Sequence, residues 1–381
     1  MTTNSAGGAE FAAVEMLDAL AARGHQVVML SDRPKIGRDT RVVVEPLQIG
    51  PKLSQRTAAT VAGHWIEYVR RLRLELRRQL PYDVLLVHYK KEQLMAPWLP
   101  KRLRATLVWA EWGPVPYQLR HGLPRRVYAN AADRARLIMA VSAGTKASIT
   151  ALGVDEHRVV IVPNVVDVDK IRYSEHGRVA VRRQLQIPDE AFVVGCISRF
   201  HPKKRNDVVV EAVRRLDDPD THLILAGAGE TEAQLRGLAA MLGPRAHFLP
   251  TPTDDVADVL SAFDVSVFCP SPTEGAPRAT ILGMLAERPC VATGPEGVAD
   301  LIRPAFGAIT EPINDPGSLS AVLGEYRRDP LLGARQGRAA RAWAEREFAR
   351  PVLAELIEEL LKDASIETLP RRPPESSRGL P

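Results

Sequence analysis

The sequence predicts an α/β protein of two doubly wound parallel-sheet domains facing each other. Three observations predict it. The chain has 381 residues, more than one hydrophobic core usually serves. Short β-branched apolar runs alternate with longer stretches of helical periodicity, the pattern of parallel strands covered by helices. Near the middle, Pro163-Asn164-Val165-Val166-Asp167 breaks the alternation with turn-forming residues.

Taken in order, the first-half strands are expected at Gln26–Ser31, Thr40–Glu45, Val84–His88, Ala105–Trp109, Leu137–Val141 and Val159–Val162. Each is a short apolar run closed by polar or turn residues, as a strand buried on both faces requires. A charged helix over Gly177–Leu185 then leads to strands at Phe192–Ser198, His222–Ala226, Ala246–Leu249, Val265–Cys269 and Cys290–Thr293. The domains are therefore expected at 1–167 and 168–347, followed by a helix over 348–364. Residues 365–381, rich in Pro, Ser and Arg, are expected to be disordered.

Composition narrows the function. Apolar residues make up 45% and charged residues 25%, the balance of a soluble globular protein. The net charge of +5 favours anionic ligands. Basic residues do not interleave with an aromatic platform, so nucleic acid is not an expected partner. Cys196, Cys269 and Cys290 lie in apolar runs without metal-ligand spacing and read as core thiols in a reducing cytoplasm. No run approaches the roughly 18 apolar residues of a membrane span, and no signal peptide is recognised. The basic stretch Arg70–Gln79 is expected to face solvent rather than a membrane, because Leu72, Leu74 and Leu76 do not share one helical stripe.

The most informative string is Thr273-Glu274-Gly275-Ala276-Pro277-Arg278, where a buried strand gives way to a helix near Ala279. Helix N-terminal N–H groups at a strand's carboxyl end attract phosphate, and a carboxylate there can hold hydroxyls. A sugar nucleotide satisfies both. Gly275 and Ala276 leave room for close backbone approach, Arg278 adds a cation, and Pro277 fixes the turn. Arg199 and Lys204 follow the first strand of the second half, where two cations would stabilise a departing diphosphate; a solvated basic loop is the alternative. His88 ends another strand, and an isolated histidine is more often structural than functional. Glu111 and Trp112, within Trp109-Ala110-Glu111-Trp112, either shape an acceptor pocket or belong to core packing.

Read together and in order, Gly7-Gly8-Ala9-Glu10, Val141-Ser142-Ala143, Pro163 to Asp167, Ser198 to Lys204, Gly227-Ala228-Gly229, His247-Phe248-Leu249, Glu274 to Arg278 and Gly297 to Ile302 resemble the retaining GT-B glycosyltransferases of family 4. The resemblance implies a C-terminal domain that holds a nucleoside-diphosphate sugar and an N-terminal domain that holds the acceptor. It implies a last helix, 348–364, crossing back to the first domain. It assigns Arg199, Lys204 and Glu274 to catalysis, Gly7, Gly8 and Gly275 to Arg278 to the donor, and His88, Glu111 and Trp112 to the acceptor side. No cofactor or metal is expected, since the two cations supply the charge that a metal would.

Two departures stand out. The family pairs Glu274 with a second glutamate eight positions later, on the ribose, and that position is Leu282. Leucine accepts no hydrogen bond, and Glu287 lies about one and a half helical turns beyond. The family also places an apolar strand before its glycine loop, yet Met1 to Ala6 holds none. The expected function is transfer of a hexose or N-acetylhexosamine from a nucleoside-diphosphate sugar, with uridine the expected base. The expected acceptor is a glycan, lipid or small molecule of cell-envelope or antibiotic biosynthesis. A weakened sugar-nucleotide-binding homologue and a nucleotide-sugar epimerase are the alternatives.

Overall fold

The computed structural model describes residues 8–32, 40–250, 255–271, 274–294, 298 and 300–365. Its strands are all parallel and fall into two halves. In the first half, β1 (Val28–Ser31) pairs with β2 (Val43–Pro46), while β3 (Val84–Val87), β4 (Thr106–Glu111), β5 (Leu137–Ala140) and β6 (Val159–Ile161) form a separate four-stranded sheet. The second half is one six-stranded sheet of β7 (Phe192–Ile197), β8 (Thr221–Ala226), β9 (Ala246–Leu249), β10 (Val265–Phe268), β11 (Cys290–Thr293) and β12 (Gly307–Thr310), in the order β12-β11-β10-β7-β8-β9.

Two features differ from expectation. Among the described residues the first half is two sheets rather than one, β1 pairing only with β2 and neither joining β3-β4-β5-β6. Strand β12 was not expected. Gly-Ala-Ile-Thr is too short and too weakly β-branched to register, and its place comes from pairing alongside β11 at the sheet edge.

The helices position the halves against each other. Gly8–Ala22 buries Ala13, Met16, Leu17 and Leu20 in one core with Val108, Ala110 and Met139 of the four-stranded sheet. The final helix, Arg350–Ser365, adds Leu353, Ala354 and Ile357 to that same core, so the chain does return to its first half. The return is pinned where the Val166 N–H donates to the Phe348 carbonyl (3.1 Å) and Arg350 reaches both Asp18 (3.0 Å) and Asp167 (3.4 Å). The basic helix runs Trp65–Arg78 and buries Tyr68, Leu72 and Leu76, spaced one turn apart, while Leu74 is 46% exposed. Its stripe thus starts at Tyr68, and its arginines Arg70, Arg73 and Arg77 are on the outside.

In the second half the charged helix is Glu175–Gln184, and its Arg182 is buried. Arg182 donates to Asp264 (2.8 Å) and to the carbonyls of Asp189, Ala191 and Ala262. The three cysteines are buried free thiols, and burial pushes Cys196 up to about 11. On adjacent strands, His222 Nδ1 and His247 Nε2 lie 3.0 Å apart in stacked rings. Burial, with His222 alongside, lowers His247 to about 4. A histidine held neutral in the fold stabilises it fully above the unfolded value near 6.5, and that stability is lost as pH falls towards 4. Partial exposure limits the effect to about 1 kcal/mol, or roughly 2–4 °C in Tm. Wild type is therefore expected to lose about that much more Tm than His247→Gln between pH 7 and pH 5, by differential scanning fluorimetry.

Among the described residues no helix is long and apolar enough to cross a membrane.

Candidate active site

The site is built at the carboxyl ends of the strands of both halves, where they meet. Strand β7 leads into Ser198-Arg199-Phe200. Phe200 is buried, and its N–H donates to the Ala228 carbonyl (2.9 Å). This loop passes so close to Gly227-Ala228-Gly229 that a Cβ at Gly227 would lie 1.9 Å from the Ser198 carbonyl oxygen, and one at Gly229 2.2 Å from that of Phe200. The glycines of that string make room for the cationic loop. His201 then caps a short 3-10 turn, its Nδ1 accepting from the Lys203 N–H (3.1 Å), and the turn delivers Lys204.

Lys204 and Glu274, seventy positions apart, meet. The Lys204 ammonium donates to Glu274 Oε2 at 2.7 Å, each side chain 23% exposed, and sits 5.0 Å from the centre of the Phe268 ring. The Ser271 N–H donates to the Lys203 carbonyl (2.8 Å), tying the two loops together. Arg199 is exposed at the head of the same loop. After Glu274 the backbone of Gly275, Ala276 and Pro277 leads into the helix Arg278–Leu285, which has no side-chain cap. The Thr280 N–H donates to the Pro277 carbonyl (3.1 Å), while the N–H groups of Arg278 and Ala279 precede the helix's own ladder, where an anion is favoured. Thr280 in its first turn keeps a buried hydroxyl without a hydrogen-bond partner.

The same segment touches the facing half. A Cβ on Gly275 would lie 2.6 Å from the Trp112 carbonyl oxygen, 2.8 Å from Gly113 Cα and 3.0 Å from Val141 Cγ1. Asn164, buried in the mid-chain turn, donates from Nδ2 to the Ala276 carbonyl (2.9 Å). Arg278 donates to both oxygens of Glu15 (2.7 and 3.4 Å), and the Ala143 N–H donates to Asp300 Oδ2 (3.1 Å). Gly8 lies against this seam, its Cβ direction 3.7 Å from Arg278 Cβ, whereas Gly7 lies outside the described residues. Sequence reasoning missed Glu15, Asn164 and Asp300 as contacts between the halves. Asn164 and Asp300 stand within strings already singled out, while Glu15 gave no signal.

On the first-half side, His88 and Trp112 stack, ring centres 5.8 Å apart and 8° from parallel. Burial lowers His88 to about 3, so the ring is neutral, and its Nδ1 has no hydrogen-bond partner. The two tryptophans have different fates. Trp109 is fully buried, edge-on to Tyr128, whereas Trp112 is partly exposed at the cleft. Glu111 is only 4% exposed and turns into its own half, accepting from the Tyr128 hydroxyl (2.8 Å) and from Lys90. With both oxygens engaged, Glu111 braces the β3 and β4 ends, and direct contact with an acceptor is not what its geometry favours.

Leu282 is 5% exposed and packs in the second-half core with Ile281, Met284 and Leu285. Glu287 lies past the helix's carboxyl end, remote from its start, with a positive φ of 58°. No carboxylate on this helix stands in for the one that Leu282 replaces.

Comparison with known proteins agrees with this geometry. Residues 6–170 match the model "Glycosyltransferase Family 4" and residues 178–343 the model "Glycosyl transferases group 1". A GDP-mannose-dependent monoacylated alpha-(1-6)-phosphatidylinositol monomannoside mannosyltransferase of Corynebacterium glutamicum is 28% identical over 211 residues, 53% of this chain and 55% of that protein. A D-inositol 3-phosphate glycosyltransferase of Geodermatophilus obscurus is 30% identical over 235 residues, 57% of this chain and 49% of that protein. The matches thus span about half the length of these relatives. Among solved structures, Anabaena Alr3699/HepE in complex with UDP and glucose superposes with a TM-score of 0.81 at 20% identity, over 95% of this chain and 98% of that one.

Proposed function

The chain belongs to the GT-B glycosyltransferases of family 4, and from that premise we propose that it transfers a hexose or N-acetylhexosamine from a nucleoside-diphosphate sugar to an acceptor hydroxyl with retention of anomeric configuration. One observation carries the reading: Lys204 and Glu274 meet at 2.7 Å beside an uncapped helix start, directly against the facing half. The helix start and Arg199 take the diphosphate. Lys204 meets the negative charge that grows on it as the glycosidic bond breaks, which favours the transition state over the ground state. Glu274 orients sugar hydroxyls, its own carboxylate held in place by Lys204. The acceptor attacks from the face that the diphosphate leaves, and a leaving-group oxygen takes its proton.

The His88–Trp112 stack supports an acceptor that presents a sugar or cyclitol ring, since a flat neutral face suits the apolar side of such a ring. The names of the two relatives, which act on inositol-based acceptors, point the same way. Together these favour an acceptor that carries an inositol or sugar ring. Uridine remains the proposed base, with guanosine its rival from the Corynebacterium relative. Thermal shift against UDP, GDP, TDP and their sugars tests this: the preferred donor, at 100 times its Kd, is expected to add about 2.7 kcal/mol of stability, and no shift with any of them contradicts the reading. Because two cations supply the charge on the diphosphate, transfer is expected to survive EDTA; its loss, restored by Mg²⁺, would show otherwise.

Leu282 favours a second reading, a homologue that binds sugar nucleotides but turns them over weakly. Donor binding without product separates it from the first.

A further inference from the structure

We infer that Glu15 is a positioning residue whose carboxylate, reaching from the first half, holds Arg278 and with it the start of the donor helix in the closed arrangement of the two halves. The inference rests on the glycosyltransferase reading above, and it concerns a residue outside every string that carried that reading. Glu15 lies on the inner side of Gly8–Ala22, one turn after Phe11, whose ring centre is 5.9 Å from the Arg278 guanidinium. Arg278 is the first residue of the helix Arg278–Leu285. The pair joins positions far apart in the chain, uses both carboxylate oxygens, and leaves the side chains only 18% and 17% exposed.

A solvated surface pair would carry little coupling. This one is largely withdrawn from water, where fork-shaped contact with a carboxylate is stronger and directional. Its surroundings also fix it. Arg350 and Asp167 stand near Glu15, and Arg350 clamps Asp18, one turn further along the same helix. Glu15 is thereby set by the segment where the chain crosses between halves. The neighbouring contacts, Gly275 against Trp112 and Asn164 to the Ala276 carbonyl, set how near the halves come. The Glu15–Arg278 pair is the charged one among them and spans the donor motif itself.

A double-mutant cycle tests this with the full chain and its preferred nucleotide sugar. Glu15→Gln is expected to lower kcat/KM for the donor about tenfold, mainly through KM, and Arg278→Gln by at least as much. If the two act as one device, the double variant is no worse than the worse single variant. Additive losses, or a Glu15→Gln enzyme within twofold of wild type, would overturn the inference. Glu15→Asp keeps the charge and should lose less than Glu15→Gln, which guards against a mere packing defect. Small-angle scattering of the ligand-free protein is independent of turnover. A more extended Glu15→Gln profile supports the positioning role even if wild type transfers no sugar, and an unchanged profile contradicts it.

Discussion

Replacing Lys204 with alanine is expected to lower kcat by about 10²–10³, the usual cost of removing one preorganised group that stabilises transition-state charge. The variant loses the cation and also leaves the Glu274 carboxylate, formerly 2.7 Å away, without its partner and facing an anionic donor. KM for the donor should therefore rise as well. Because the pair is about one-quarter exposed, water can partly solvate the stranded carboxylate, and Tm should change little. The double variant Lys204→Ala/Glu274→Gln separates the two effects. It should recover part of the donor affinity by removing the repulsion, yet stay slow because the cation is still missing. A Lys204→Ala enzyme with wild-type kcat would mean that the loop only solvates a basic surface.

Gly275→Ala should be nearly as damaging for a steric reason. The added methyl would stand 2.6 Å from the Trp112 carbonyl oxygen and 2.8 Å from Gly113 Cα. Both are backbone atoms, so no side chain can swing away. The halves must separate or the donor loop must shift. A displacement of about 1 Å is enough to cost on the order of 100-fold in kcat/KM where reacting groups must align. Each half keeps its own core, so Tm should stay close to wild type. Gly113→Ala supplies the control, because its methyl would meet Gly275 N at 3.7 Å, an ordinary contact. Steady-state kinetics of the two variants should differ sharply although the glycines face each other. Equal behaviour would show that this seam does not govern catalysis.

Much of the fold could be read from pattern. Runs such as Phe192–Ile197 and Thr221–Ala226 are buried at nearly every position, as parallel strands covered by helices on both faces require. Gly307–Thr310 could not be read, because an edge strand takes its identity from its neighbour rather than from its own residues.

The candidate site was legible residue by residue, but its pairings were not. Arg199, Lys204 and Glu274 each stand beside strand ends, where function concentrates; that the ammonium of Lys204 lands on Glu274 follows from β10 lying next to β7, a tertiary fact. Glu111 was assigned to the acceptor side through its place beside Trp112 in the resembling string, and its engagement with Lys90 and Tyr128 depends on helices packed from elsewhere. Glu15 was invisible. A glutamate in an Ala-rich helix has the sequence signature of a solvated carboxylate, and only the approach of the second half gives it Arg278.

The central proposal is that this cleft breaks the bond between sugar and diphosphate and passes the sugar to an acceptor with its anomeric configuration retained. It is tested most directly by incubating the protein with UDP-, GDP- and TDP-sugars together with cyclitol and glycan acceptors, then following nucleoside-diphosphate release and the anomeric configuration of the product by NMR. The expected result is release from at least one donor, acceptor-dependent and with configuration retained, falling by about 10²–10³ in Lys204→Ala. Donor binding without release for any pair, or product with inverted configuration, would contradict it.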